Sequence, residues 1–256
     1  MLKVSPRYPA SRLFSRQDLQ AATGISDDVL GYWFKEGLLA AVPASNRSHR
    51  RFQFDQANIA VVLEAMRRLG ANIGVLRKFA EILQHGKAVA SEANELDHMV
   101  ARLCGDLARI LGRFDDGHTV EIYNEEWLKS ARDGNHDLDI PSLRPAKSRQ
   151  EIIDDWLYIN AREGDVKAAL PFATSLTSYD AFCFDAYIDL INPEIVGERL
   201  PDWNWVWLTW IDQSGKARIY SGEDASPSLV TDMPVSAFYI SVSRLIRPLW
   251  VKEATA

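Results

Sequence analysis

The sequence predicts an α+β protein: an all-α head at the N-terminus, a long dimerisation helix, and a C-terminal α+β domain with a small antiparallel sheet. Three observations predict it. Short, capped segments of helical spacing fill the first 85 residues. Apolar positions from Leu96 to Phe114 then recur every four and three residues in turn. Far downstream, tryptophans alternate with other residues through 203–210 and a turn sequence follows.

The elements follow in chain order. Residues 1–11 hold two prolines and read as an arm. Ser15-Arg-Gln-Asp18 is a capping box in its acidic form, opening a helix with Leu19 and Ala22 on its apolar side. Gly24 permits a sharp turn, and Ser26 caps a second helix running to about Lys35, with Val29, Leu30 and Trp33 inward. Two short helices joined by Thr23-Gly24-Ile25-Ser26 spell a helix-turn-helix. The polar loop 43–49 and Arg50-Arg51-Phe52-Gln53-Phe54 read as a β-wing. Asp55 is placed to cap a third helix and Asn72 a fourth, so the head spans about 12–85.

Leu96, Val100, Leu103, Leu107, Ile110 and Phe114 keep a 3.5-residue period, the spacing of a coiled-coil seam. They predict a dimerisation helix over about 91–115 and a homodimer. Beyond it, 117–256 reads as one C-terminal domain: a short strand at 120–123, a helix at 125–132, a linker at 133–148, and helices at 149–163, 165–176 and 179–191. Strands follow at 203–210 and 216–220, around the turn Asp212-Gln-Ser-Gly215. A last strand at 238–242 precedes a helix capped by Ser243.

Composition narrows the class. The chain has 256 residues, 47% hydrophobic and 25% charged, which is ordinary globular usage and excludes a disordered chain. With 14 Gly and two Cys it is neither collagen-like nor a disulfide scaffold, and a reducing, cytoplasmic home is expected. The opening residues lack an apolar signal core, and no stretch approaches the ~20 apolar residues that span a bilayer. Residues 1–85 carry twelve Lys and Arg against seven Asp and Glu, whereas 86–256 carry 17 against 28. A basic head on an acidic remainder points to a polyanion partner.

Together these residues resemble the DNA-binding head of MerR-type transcription regulators. The likeness runs through the helix after Phe14, the TGIS turn, Tyr32-Trp-Phe-Lys-Glu-Gly-Leu-Leu39, the Arg50–Phe54 run, and Arg67-Arg-Leu-Gly-Ala-Asn-Ile73. The 96–114 seam stands where that family has its dimer helix, so about 115 residues are covered. The resemblance implies a dimer on double-stranded DNA at a dyad-symmetric promoter site, with the second helix in the major groove and the wing along the phosphates. It implies phosphate contacts by Arg47, Arg50 and Arg51, a backbone contact by Arg16 at the first helix, and Tyr32 and Lys35 on the recognition helix. His49 and Gln53 are weaker candidates. One departure stands out: where the family places basic residues, this helix has Asp27, Asp28 and Gly31.

The second half offers less. Cys104 and Cys183 are far apart and the five histidines are scattered, so no metal and no cofactor is expected. No phosphate loop or nucleophile motif is present. Asp154-Asp155 and Asp185 with Asp189 read as solvated acidic faces, so no enzyme is expected. Trp203, Trp205 and Trp207 fall on one sheet face and form a candidate surface for a small-molecule effector or a protein partner, with Asp202 and Asp212 nearby. The alternative function is a protein–protein adaptor whose head no longer reads DNA.

Overall fold

The computed structural model describes residues 13–43, 50–92, 98–132, 142–160, 165–191, 205–223 and 236–250. The order is α1 (Arg16–Thr23), α2 (Asp27–Lys35), α3 (Phe54–Arg68), α4 (Ile73–Glu92), α5 (His98–Asp115), β1 (Glu121–Tyr123), α6 (Glu125–Arg132), β2 (Leu143–Pro145) and α7 (Arg149–Ile159). It continues with α8 (Val166–Ser175), α9 (Ser178–Ile191), β3 (Trp205–Ile211), β4 (Ala217–Glu223), β5 (Phe238–Ser241) and α10 (Val242–Trp250). The protein is α+β, with helices first and small antiparallel sheets later.

The chain forms two compact units. One joins residues 1–85 to 186–256; the other is 86–185. The sequence reading drew a single domain from 117 onward. In the fold, the last 71 residues share a unit with the head instead. The reason lies on α3, which is buried nearly all round, polar residues included: Asp55, Gln56, Asn58 and Glu64 are all enclosed. Asn58 donates to the carbonyl of Leu190 at 2.7 Å, and burial together with the charge and hydrogen bond of Asp55 holds the Tyr187 phenol far above its ordinary range. Helix α10 packs on both α3 and β3. A helix with an apolar stripe alone would not need such cover.

The head's local structure follows its sequence. Ser15 accepts from the Asp18 N–H at 3.2 Å and donates its own N–H to the Asp18 carboxylate at 2.7 Å. Thr23 closes α1 by donating to the Leu19 carbonyl at 2.6 Å, and Gly24 turns the chain at φ 72°. Ser26 caps α2, and Asn72 accepts from the Val75 N–H at 3.0 Å to open α4. At the base of the expected wing is an isolated antiparallel bridge: Phe14 and Phe52 exchange backbone bonds at 2.8 and 2.9 Å, and the Val42 N–H meets the Arg51 carbonyl at 2.8 Å. Helix α3 starts two residues early, at Phe54, because Asp55 turns inward to Gln56 and Tyr187 instead of capping.

The tryptophan strand was expected to offer an aromatic wall. It is core instead. Trp205 and Trp207 are 8% and 1% exposed, and Trp203 lies outside the described residues. The Trp207 indole donates to buried Asp189 at 2.9 Å, and the backbone N–H of Trp205 donates to the hydroxyl of Ser243 at 3.0 Å, a residue that sits inside α10 rather than capping it. The other face of β3 (Val206, Leu208, Trp210) packs with Tyr220 and Ala237. The sheet runs β4-β3-β5, antiparallel throughout, and its hairpin turns at Gly215 as expected. Asp212 is committed to that turn, accepting from Ser214, Lys216 and Arg218.

The 96–114 seam was expected to join two chains, and α5 uses that stripe within its own unit. Val100, Cys104, Leu107 and Leu111 are buried with Ile152, Trp156, Val166, Ala169 and Ala173. Leu103, Ile110 and Phe114 pack against the same cluster, and Leu96 lies outside the described residues. Two features explain the difference. Ala101, Cys104, Ala108 and Leu111 widen the apolar stripe beyond the two positions per heptad of a coiled coil. Gly105 and Gly112, seven apart, receive Asp185 and Ser178 of α9 so closely that a methyl group at either would overlap those side chains. The segment 142–148, read as linker, holds β2, which pairs with β1 in register Ile122 opposite Arg144.

Candidate nucleic-acid interface

Helix α2 buries Leu30 and Trp33 and turns Asp27, Asp28, Tyr32 and Lys35 to solvent. Tyr32 is 45% exposed. Lys35 ends the helix, where a cation complements the exposed carbonyls. Asp27 and Asp28 open it, where carboxylates complement the N–H groups. The local physics of a nine-residue helix thus accounts for the charge order along it.

Around α2 the arginines are gathered by an aromatic pair. Phe34 stacks on Phe52 with centroids 4.8 Å apart and planes 10° apart. The guanidinium of Arg50 lies 5.2 Å from the Phe34 centroid and that of Arg16 lies 6.0 Å away. Each contact is worth roughly 0.5–1 kcal/mol at an exposed site, enough to bias a long side chain toward one place. Arg16 is fixed further: its Nη2 donates to the Asp27 carbonyl at 3.0 Å and sits 3.0 Å from the Asp27 carboxylate. It can lie there because Gly31 has no side chain; a Cβ at Gly31 would stand 3.4 Å from that Nη2.

The other basic residues of the head divide by partner. Arg67 and Arg68 clamp buried Glu64 at 2.6 and 2.8 Å, and Arg68 also donates to the Thr23 carbonyl at 2.8 Å, tying α3 to the helix-turn-helix. Burial works to raise the Glu64 carboxyl, and the hydrogen bonds and charges of the two arginines outweigh it, so it stays below its usual range. Arg77 pairs with Glu36, and Lys78 donates to the Gly215 carbonyl. No ion pair with a described residue engages Lys35, Arg50 or Arg51. Arg50 is half-buried and Arg51 exposed.

The fold therefore places Arg16, Tyr32, Lys35 and Arg50 on or beside α2, and Arg51 next to the Phe14–Phe52 bridge. Arg47 and His49 lie outside the described residues. Sequence reasoning missed the Arg16–Asp27 pair. Eleven residues separate the partners, and nothing in their spacing announces that the turn brings them together.

The second unit carries a half-open cleft of about 290 Å³ between the β1–β2 hairpin and α7, lined in part by Tyr123, Tyr158, Glu125, Asp154, Asp155 and Arg144. Arg144 is held by Glu151 at 3.0 Å. Burial raises the Asp155 carboxyl above its ordinary range against the Tyr123 N–H, which donates to it at 3.2 Å. Asp154 and Asp155, expected as a solvated face, thus line a concavity. Asp185 pairs with Arg109 at 3.2 Å, and Asp189 is buried. Burial pushes the Cys104 and Cys183 thiols up to about 11 and about 12. Among the described residues no group of three or more His, Cys, Asp or Glu is arranged to hold a metal, and no helix is long and apolar enough to cross a membrane.

Residues 14–81 match the family model of the MerR helix-turn-helix regulatory proteins. The match spans the region whose geometry is described above and about a quarter of the chain. No curated protein and no solved structure matches the chain.

Proposed function

We propose that this protein is a DNA-binding transcriptional regulator that sets α2 in the major groove and rests the wing on the backbone. The match over 14–81 supports a regulator of DNA-binding type and suggests a non-enzymatic role. The observation that carries the finer reading is the convergence of Arg16 and Arg50 on Phe34 of the recognition helix, with Lys35 and Arg51 in no ion pair among the described residues. Cations held beside a helix of this kind neutralise phosphates and release counterions, which supplies most of the affinity. Side chains along α2 then meet base edges.

Two chains at a dyad-symmetric promoter site belong to the proposal on the strength of the family likeness. The α5 stripe packs inside its own unit and leaves Leu103, Ile110 and Phe114 half-buried. The second unit is assigned the sensing role, with the Tyr123–Tyr158 cleft as its concave site. The adaptor reading drew on Asp27 and Asp28. The Arg16 pair supplies a structural reason for Asp27, one of the two residues on which that reading rests.

Selection of genomic fragments by the full chain, with its mass measured in solution, tests the proposal. A short inverted repeat bound by a two-chain species supports it. A protein that enriches no sequence and keeps a constant low affinity for all duplexes defeats it.

A further inference from the structure

The two aspartates that open α2 are the feature DNA binding leaves unexplained, since a carboxylate beside phosphate is repelled. The fold treats them differently. Asp27 is already engaged: Arg16 holds its carboxylate at 3.0 Å and Gln20 donates to it at 3.4 Å. Asp28 is exposed, and its carboxylate makes no hydrogen bond or ion pair with a described residue. Positions 28, 32 and 35 follow the i, i+4, i+7 spacing of one helix face, and all three are exposed. Gly31 lies on the same side, and the Arg16 guanidinium takes the space that a side chain there would fill.

A carboxylate only accepts hydrogen bonds. In the major groove guanine and thymine present acceptors. Adenine presents an N6 donor beside an N7 acceptor, and cytosine presents its N4 donor without a neighbouring acceptor. Of the four bases, cytosine is the one a bare carboxylate pairs with and does not also repel.

We infer that Asp28 is the specificity-determining residue of this head, accepting from the N4 amino group of a cytosine, while Asp27 stays out of base reading as the counter-ion of Arg16. This rests on the DNA reading above. It gives the helix its division of labour: Lys35 and the arginines bring the phosphates, and Asp28 rejects registers that set phosphate or a purine acceptor opposite it. A purely structural role, in which Asp28 only starts the helix, makes the opposite prediction for base preference.

The test is selection from a randomised duplex library by the full chain in three forms: unaltered, Asp28→Asn and Asp27→Asn. The unaltered protein should enrich cytosine at one fixed position of each half-site. Asp28→Asn should move that position to adenine, because an amide pairs with adenine N6 and N7 together, and should change the preference there roughly 10-fold or more. Asp27→Asn should leave every base preference in place while altering affinity and its salt dependence through the released Arg16. An identical motif from the unaltered chain and Asp28→Asn overturns the inference alone. So does a changed motif from Asp27→Asn. A library from which none of the three enriches any sequence overturns the DNA reading and this inference with it.

Discussion

Replacing Trp207 with Ala should cripple the head, although the residue lies 172 positions after Lys35. The indole is 1% exposed, and its N–H is donated to Asp189, itself 5% exposed. Removing a fully buried tryptophan costs about 3–5 kcal/mol in cavity and lost transfer energy. Asp189 also loses a donor in a buried place, a further cost of about 1–3 kcal/mol where relaxation does not supply another. The lower end of the sum, about 4 kcal/mol, is already a large share of the 5–15 kcal/mol that typically holds a domain together. For a unit of this size it corresponds to a fall of roughly 8–16 °C in Tm. Hydrogen exchange at the α3 amides Ala57–Met66, read beside urea unfolding, is the assay, because α3 is the helix that the C-terminal residues enclose. Trp207→Phe keeps the ring and loses only the N–H, so it should cost about 1–2 kcal/mol. A chain ended after residue 115 should show α3 exchange as fast as Trp207→Ala or faster. Unchanged protection of α3 in Trp207→Ala would refute the claim that 186–256 is part of the head.

Other expectations concern charge, packing and pH. Charge reversal of Arg50 and Arg51 together should abolish duplex binding in an anisotropy titration while the circular dichroism melt stays in place; retained affinity would remove the wing's base from the interface. Gly112→Ala sets a methyl group against Ser178 and should destabilise the second unit by about 1–3 kcal/mol in urea unfolding, the usual cost of overpacking; a neutral result would show that α5 and α9 are not in close contact. Leu103→Asp should lower the stability of the same unit and leave the chain's mass in solution as it was, whereas dissociation of a dimer would return the 96–114 stripe to an intermolecular role. Cys104 and Cys183 should resist iodoacetamide at pH 8.5 in the folded protein and react in urea. Their folded thiols stay protonated up to about 11 and about 12, while unfolded thiols ionise near ~8.5. The unfolded chain binds fewer protons above that lower value, so the second unit should lose stability as pH rises from about 8.5 toward 11. Flat stability across that range would contradict the burial of both thiols.

What could be read from the sequence was what local physics decides. Ser15, Gly24, Ser26 and Asn72 mark helix ends because a cap or a left-handed turn acts over three or four residues, and each does its expected job. The Asp212–Gly215 turn was legible for the same reason. What misled was the fate of apolar faces. A stripe such as Val100–Phe114 records that something covers it and not what does; Gly105 and Gly112 were the overlooked sign that another helix of the same chain comes close. The tryptophans of β3 likewise record burial, and Asn58 and Asp55 on α3 show the matching surface only once Leu190 and Tyr187 lie against them. In the candidate interface, Lys35 and Arg51 could be named from their place in the pattern. The pairing of Arg16 with Asp27, which decides how the helix's charge is spent, required the fold.

The salt dependence of duplex binding by the full chain tests the central claim most directly. Lys35, Arg50 and Arg51, in no ion pair among the described residues, should each neutralise a phosphate, giving a slope of log affinity against log salt of about −2.7 per head. Raising salt from about 50 to 200 mM should then weaken binding about 40-fold for one head, and more for two heads bound together. Binding that stays within a few-fold across that range would contradict the account and make the head a docking surface for protein.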